Sequence, residues 1–129
     1  MPAYTGKTVV LTGASQGIGR ALALALAEQR ARLVLAARDR AALEIVADEC
    51  RAKGADALVV PTDVADEGQC RSLIAQAVER FKVLDVLVNN AGIGMIARFD
   101  ALTDLSVYER LMKVNYLGCV YPTYHALVS

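Results

Sequence analysis

"LTGASQGIGRALAL", residues 11–24, sets Gly13, Gly17 and Gly19 between an apolar run and a string of alanines and leucines. Glycine weakens a strand and, short of proline, is the costliest residue inside a helix. Its clustering where one element should run straight into the next therefore marks a junction. "KTVVLT" (7–12) is a short β-branched run ending at glycine, as a buried strand does. "GRALALALAEQR" (19–30) alternates, but both members of the alternation are apolar, and Ala and Leu are strong helix formers, so it reads as a helix. A strand turning abruptly into a helix leaves unpaired N–H groups and the positive end of the helix dipole open. A phosphate can sit there if no Cβ blocks it. Gly13 then permits the tight turn, Gly17 lets a pyrophosphate approach the backbone, and Gly19 lets the helix pack closely on the strand. The plain alternative is a glycine-rich turn with no ligand.

Outward from this junction the alternation of strand and helix continues. "ARLVLAA" (31–37) is a second buried strand, and Asp39 can cap the helix "RAALEIVADECRAKG" (40–54), which closes on Gly54. "DALVVPTDV" (56–64) is a third strand and its exit. "DEGQCRSLIAQAVERF" (66–81) places Leu73, Ile74, Ala77 and Val78 on one helical face with Phe81 close by. "LDVLVNNAG" (84–92) is a fourth strand ending in a polar turn. After the apolar loop "IGMIARFDALT", a last helix is expected from about Asp104 to the end. Continuous apolar strands alternating with helices call for a parallel sheet covered on both faces through right-handed crossovers. The expected architecture is one α/β domain over residues 1–129, a doubly wound four-stranded sheet in the order 3-2-1-4.

Bulk composition agrees with this and excludes other classes. Hydrophobic residues make up 55% of the chain, enough for a packed core. Lys and Arg number 14 against 14 Asp and Glu, so no global charge points to nucleic acid or an anionic membrane. The aliphatic stretch 21–27 is far too short to cross a bilayer, and "MPAYTGK" lacks the features of a secretory signal. Cys50, Cys70 and Cys119 are odd in number with no C-x-x-C spacing, which argues for idle thiols in a reducing compartment and against a metal site. A cytoplasmic location is the resulting expectation.

The glycine spacing is G-x-x-x-G-x-G, not the G-x-G-x-x-G of the standard dinucleotide fingerprint. "TGASQGIG" resembles the cofactor loop of the short-chain dehydrogenase/reductase family. Asp63-Val64 after the third strand, "NNAG" (89–92) after the fourth and Asn115 in the last helix resemble its further signatures, in the right order. The resemblance implies a Rossmann-like fold in which Ser15, Gln16 and Ile18 line the phosphate loop. It implies that Asp63 accepts a hydrogen bond from the adenine amino group, with the Val64 backbone beside it. Asn90, Ala91 and Gly92 would run past the ribose and nicotinamide, and Asn115 would be a structural and catalytic asparagine. Read without the family, Asp63 is equally a helix-capping or turn carboxylate, and Asn89 and Asn90 a turn satisfying its own backbone.

The tip of the second strand separates NAD from NADP. An acid there binds the ribose 2′-OH of NAD, whereas an arginine accommodates the 2′-phosphate of NADP. Position 37 is alanine and Arg38 follows, which favours NADP(H); the alternative for Arg38 is a solvated surface charge. Asp39 falls beyond the tip and is assigned to the helix cap.

The family's chemistry uses a serine and a Tyr-x-x-x-Lys pair. Four residues on from Tyr4, Tyr108, Tyr116, Tyr121 and Tyr124 stand Thr8, Met112, Val120, His125 and Val128, none of them lysine. Tyr121 and His125 share a helix face but read as a packing pair. The expectation is therefore the cofactor-binding portion of a reductase acting on a small-molecule alcohol or carbonyl, truncated at the C-terminus and incomplete relative to the family fold. A non-catalytic dinucleotide-binding module and a truncation product that binds nothing well are the alternatives. The fourth strand would be left as an apolar edge, and family members commonly pair through the helix beginning near Asp104, so a homo-oligomer is expected.

Overall fold

A computed structural model of the chain describes residues 3–93 and 104–129. Four strands, β1 (Thr8–Thr12), β2 (Arg32–Ala37), β3 (Asp56–Pro61) and β4 (Val86–Val88), form one sheet in the order β3-β2-β1-β4. Every pairing is parallel, with Val9 opposite both Leu33 and Val86. Between the strands run α1 (Gly17–Glu28), α2 (Arg40–Ala52) and α3 (Glu67–Phe81).

Strand side chains alternate between faces, and both faces are covered. Val9, Leu11, Leu33 and Leu35 join Ala23, Leu26 and Ala27 of α1 and Leu43, Val46 and Ala47 of α2 in one core layer. Val10, Val34 and Ala36 point the other way, onto Leu73, Ile74, Ala77 and Phe81 of α3. Helix boundaries follow local chemistry. Asp39 Oδ1 accepts from the Ala42 N–H and Asp66 Oδ1 from the Gln69 N–H, so an aspartate caps α2 and another caps α3. At its far end α2 stops in a Schellman pattern, with Gly54 at φ +98° and the Ala55 N–H reaching the Cys50 carbonyl.

Two expectations need correction. The fourth strand ends at Val88, ahead of the polar turn as expected, but begins at Val86 and not at Leu84. Beyond Val88 the Asn90 and Ala91 N–H groups donate to Thr12 Oγ1 instead of a strand partner, each at 3.0 Å, so the ladder ends there. The last helix is not uniform either. It consists of α4 (Ser106–Met112), a π-helical stretch Lys113–Leu117 and α5 (Gly118–Val128). The Gly118 N–H reaches back to the Lys113 carbonyl, and a Cβ on Gly118 would come within 2.7 Å of Val64 Cγ2. Close approach of this helix to the β3–α3 loop thus depends on a residue without a side chain. Most of "GIGMIARF" (92–99) lies outside the described residues.

On α5, His125 lies 3.7 Å from Glu67 Oε1 and edge-on to Tyr124, a packing site against α3. Cys50 and Cys70 are buried and free; loss of solvent, then the charge of Glu49 for Cys50 and of Asp66 for Cys70, pushes both thiols from 9.0 up to about 11. Burial therefore favours the neutral thiol. Each contributes stability that is complete below pH 9 and is lost as pH rises through about 11. At pH 8 a thiol reagent is expected to label Cys119 in the native protein and Cys50 and Cys70 only in denaturant. Native labelling of Cys50 or Cys70 as fast as Cys119 would contradict the packing described.

Candidate nucleotide cleft

The carboxyl ends of the strands open into one cleft of about 560 Å3. In an open parallel sheet this is where ligands bind, beside the strand at which the order reverses. That strand is β1, flanked by β2 and β4, and its exit loop carries Gly13 to Gly17. The cleft is lined by Gly13, Ser15, Gln16, Gly17 and Ile18 from this loop, and by Arg38 from the end of β2. Asp63 and Val64 contribute from the exit of β3, and Asn90, Ala91 and Gly92 from that of β4. Of the cofactor-loop residues named from the sequence, Gly19 stands outside the lining and Asn115 sits on another surface.

Each glycine of the loop has its own reason. Gly13 has φ +65°, and a Cβ on it would meet Asn90 Nδ2 at 2.8 Å and Ala91 N at 2.9 Å. A Cβ on Gly19 would overlap the Gly13 carbonyl oxygen and lie 2.5 Å from Asn90 Nδ2. Close packing of helix on strand is what Gly19 permits. Gly17 differs: it has φ +58°, and nothing lies within 4 Å of where its Cβ would be. It faces open space in the cleft.

The start of α1 is unlike those of α2 and α3. Its N-cap residue, Gln16, makes no side-chain capping bond, whereas Asp39 and Asp66 cap the other two; like α2, it has no acidic residue in its first turn. The leading N–H groups of this helix, which need acceptors, are left to whatever enters the cleft. A phosphate group fits such an arrangement, since backbone donors and the helix dipole both favour an anion. Ile18, 80% exposed, forms an apolar rim beside them.

Thr12 holds the floor of the site together and was not singled out from the sequence. Its buried hydroxyl accepts from the Asn90 and Ala91 N–H groups and lies 3.5 Å from the Val88 carbonyl. Asn90 Nδ2 donates to the Gly13 carbonyl at 3.1 Å, and Asn89 Nδ2 to Thr123 Oγ1 at 3.0 Å. Both asparagine side chains are thus spent across elements, which corrects the expectation of a turn satisfying its own backbone. One signal for Thr12 was available: a hydroxyl at the buried end of a strand, next to a glycine turn, needs a partner.

Asp63 adopts a turn. Its Oδ1 accepts from the Ala65 N–H at 3.0 Å, its own N–H donates to Gln69 Oε1 at 2.8 Å, and Oδ2 lies 3.5 Å from Arg110 Nη1. Of the two family-free readings, the turn applies and the helix cap belongs to Asp66. Arg38 is exposed on the cleft rim and makes no hydrogen bond or ion pair among the described residues, whereas Arg20 is committed to Glu49 at 2.6 Å. Asn115, in the π-helical stretch, clasps the Ile93 backbone: Oδ1 accepts from its N–H at 2.8 Å and Nδ2 donates to its carbonyl at 2.7 Å. It positions the segment leaving β4. Among the described residues no group of three or more His, Cys, Asp or Glu side chains could hold a metal ion, and no helix is long and apolar enough to cross a membrane.

Known proteins share this geometry. The 11-beta-hydroxysteroid dehydrogenase of Pinus massoniana is 42% identical over 123 residues, 95% of this chain and 35% of that protein. The 11-beta-hydroxysteroid dehydrogenase A of Sesamum indicum is 44% identical over 119 residues, 92% of this chain and 34% of that protein. A short-chain type dehydrogenase/reductase from Mycobacterium marinum superposes with a TM-score of 0.90 at 35% identity, covering 95% of this chain and 49% of its own. An alcohol dehydrogenase from the archaeon Thermococcus sibiricus, complexed with 5-hydroxy-NADP, gives 0.90 at 35% identity over 95% and 52%. The chain spans about a third of the curated relatives and about half of these structures. The family model described as short chain dehydrogenase matches residues 7–129. A parallel sheet ordered β3-β2-β1-β4, an uncapped glycine junction at its centre and a match over nearly every residue lead to one conclusion: the chain belongs to the short-chain dehydrogenase/reductase family.

Proposed function

We propose that the chain is the nucleotide-holding portion of an NADP(H)-dependent oxidoreductase acting on an alcohol or carbonyl compound. The observation that carries this is the uncapped start of α1 under Gly17, with Arg38 on the same rim and alanine at position 37. Bound there, the nicotinamide would supply or take up hydride. The residues of this chain bind and orient it. The first N–H groups of α1 take the diphosphate, and Arg38 pairs with the 2′-phosphate, where a carboxylate at position 37 would repel it. Asp63 accepts from the adenine amino group, Val64 walls the base, and Asn90, Ala91 and Gly92 run beside the ribose and nicotinamide. Asn115 keeps that segment in place through Ile93.

The names of the plant relatives favour a hydroxyl or ketone as the reacting group, and the nucleotide in the Thermococcus sibiricus structure favours NADP. Because no tyrosine here is followed four residues on by lysine, these 129 residues bind nucleotide without turning it over by themselves. A cytoplasmic location belongs to the same reading, supported by free cysteines. So does self-association, supported by Met112, Tyr116, Val120 and Tyr124 standing exposed from the end of α4 through the π-helical stretch into α5.

Titrating NADPH into the 129-residue chain and following nicotinamide fluorescence tests the reading. Binding in the micromolar range is expected, with no oxidation of NADPH when a carbonyl compound is added. Absence of NADPH binding would overturn the proposal, and NADH binding as tightly as NADPH would overturn the choice of cofactor.

A further inference from the structure

Among the described residues two arginines line the cleft, and the nucleotide reading uses only Arg38. Arg110, on α4, places Nη1 3.5 Å from Asp63 Oδ2. The other carboxylate oxygen is already engaged by the Ala65 N–H. Asp63 is thus held at two points, one within its own turn and one from α4, and Oδ2 is the oxygen left to meet a ligand. The 3.5 Å separation exceeds the roughly 2.8 Å of a tight charge-assisted bond, so the pairing directs Oδ2 without using up its lone pairs.

A purely structural role, tying α4 to the β3–α3 loop, is already filled. Val114, one turn beyond Arg110, is buried against Val64 and Cys70, and Gly118 fits against Val64. Arg110 itself stays partly open to the cleft, with 38% of its side chain exposed.

We propose that Arg110 is a positioning residue for base recognition. Its guanidinium sets the Asp63 carboxylate so that Oδ2 faces the exocyclic amino group of adenine. The inference rests on the nucleotide reading above and extends it to a residue outside the cofactor motifs. A base with a carbonyl in place of that amino group would meet the carboxylate oxygen with another acceptor and be disfavoured.

The test titrates the chain with NADPH and with its hypoxanthine analogue, using wild type, Arg110→Ala, Arg110→Gln and Arg110→Lys. Wild type should prefer the adenine form by about tenfold, the scale of one hydrogen bond to a charged group. Arg110→Ala and Arg110→Gln should lose most of that preference through weaker NADPH binding, with the analogue unchanged, and Arg110→Lys should restore it. Equal weakening of both nucleotides, an unchanged preference in Arg110→Ala and Arg110→Gln, or tighter NADPH binding in them would overturn the inference while leaving the nucleotide reading intact. Wild-type protein that binds neither nucleotide would overturn both.

Discussion

Gly19→Ala is expected to destabilise the chain by about 3 kcal/mol, at the upper end of the usual cost of overpacking, and to remove nucleotide binding with it. A single methyl at this position would overlap the Gly13 carbonyl oxygen and crowd Asn90 Nδ2. Both neighbours are fixed. Gly13 is backbone in a left-handed turn, and the Asn90 amide is bonded to that same carbonyl. Relief must therefore come from lifting α1 off the end of β1, which carries Ala23, Leu26 and Ala27 out of the core. A thermal midpoint lower by roughly 10 °C should result for a domain of this size. Ile18→Ala is the control, since a side chain 80% exposed has little to lose, and its midpoint should stay near wild type. A Gly19→Ala protein as stable as wild type would show that the helix does not sit against the turn as described.

Arg38→Ala is expected to weaken NADPH about 10- to 100-fold and leave NADH within about threefold, on the reading that this guanidinium meets the 2′-phosphate. The range corresponds to about 1.5–3 kcal/mol for hydrogen bonds between charged groups. Arg38 has no acidic partner to lose among the described residues, so the substitution leaves no buried charge behind and the fold should be unaffected. Arg38→Glu should go further and favour NADH, because a carboxylate accepts from a 2′-OH and repels a phosphate. Competition titrations with both nucleotides check this. Equal losses for NADPH and NADH in Arg38→Ala would mean that the arginine does not read the 2′ position.

The strand order and the assignment of each helix to a crossover were legible because they rest on periodicity and on punctuation by glycine and aspartate. Asp39 is a clear case: it lies at the distance from Gly19 where a ribose-binding acid could be sought, yet its place just beyond an apolar strand identifies it as the α2 cap, as Ala42 shows. Less legible were features that depend on which elements meet. The end of β4 at Val88 was legible from the polar turn after it, whereas its start was set two residues early, since nothing in Leu84 and Asp85 shows that the ladder begins only at Val86. The π-helical stretch was missed because nothing local in residues 113–117 marks it, and the close fit of Gly118 against Val64 shows only once the elements meet. Arg110 belongs to no motif in the sequence, and only the fold brings it to Asp63. Local preference named the elements, and contacts distant in sequence decided their edges.

The sheet order also has a temporal side. β2 pairs with β1, and β3 with β2, across single crossovers, so each neighbour follows soon after the last during synthesis. β1 then waits for β4, with Val9 meeting Val86 only after three helices have been made. The Thr12 hydroxyl and the Gly13 carbonyl gain their Asn90 partners at that moment, so the hollow beneath the glycine turn is finished only after β1, β2 and β3 have been made.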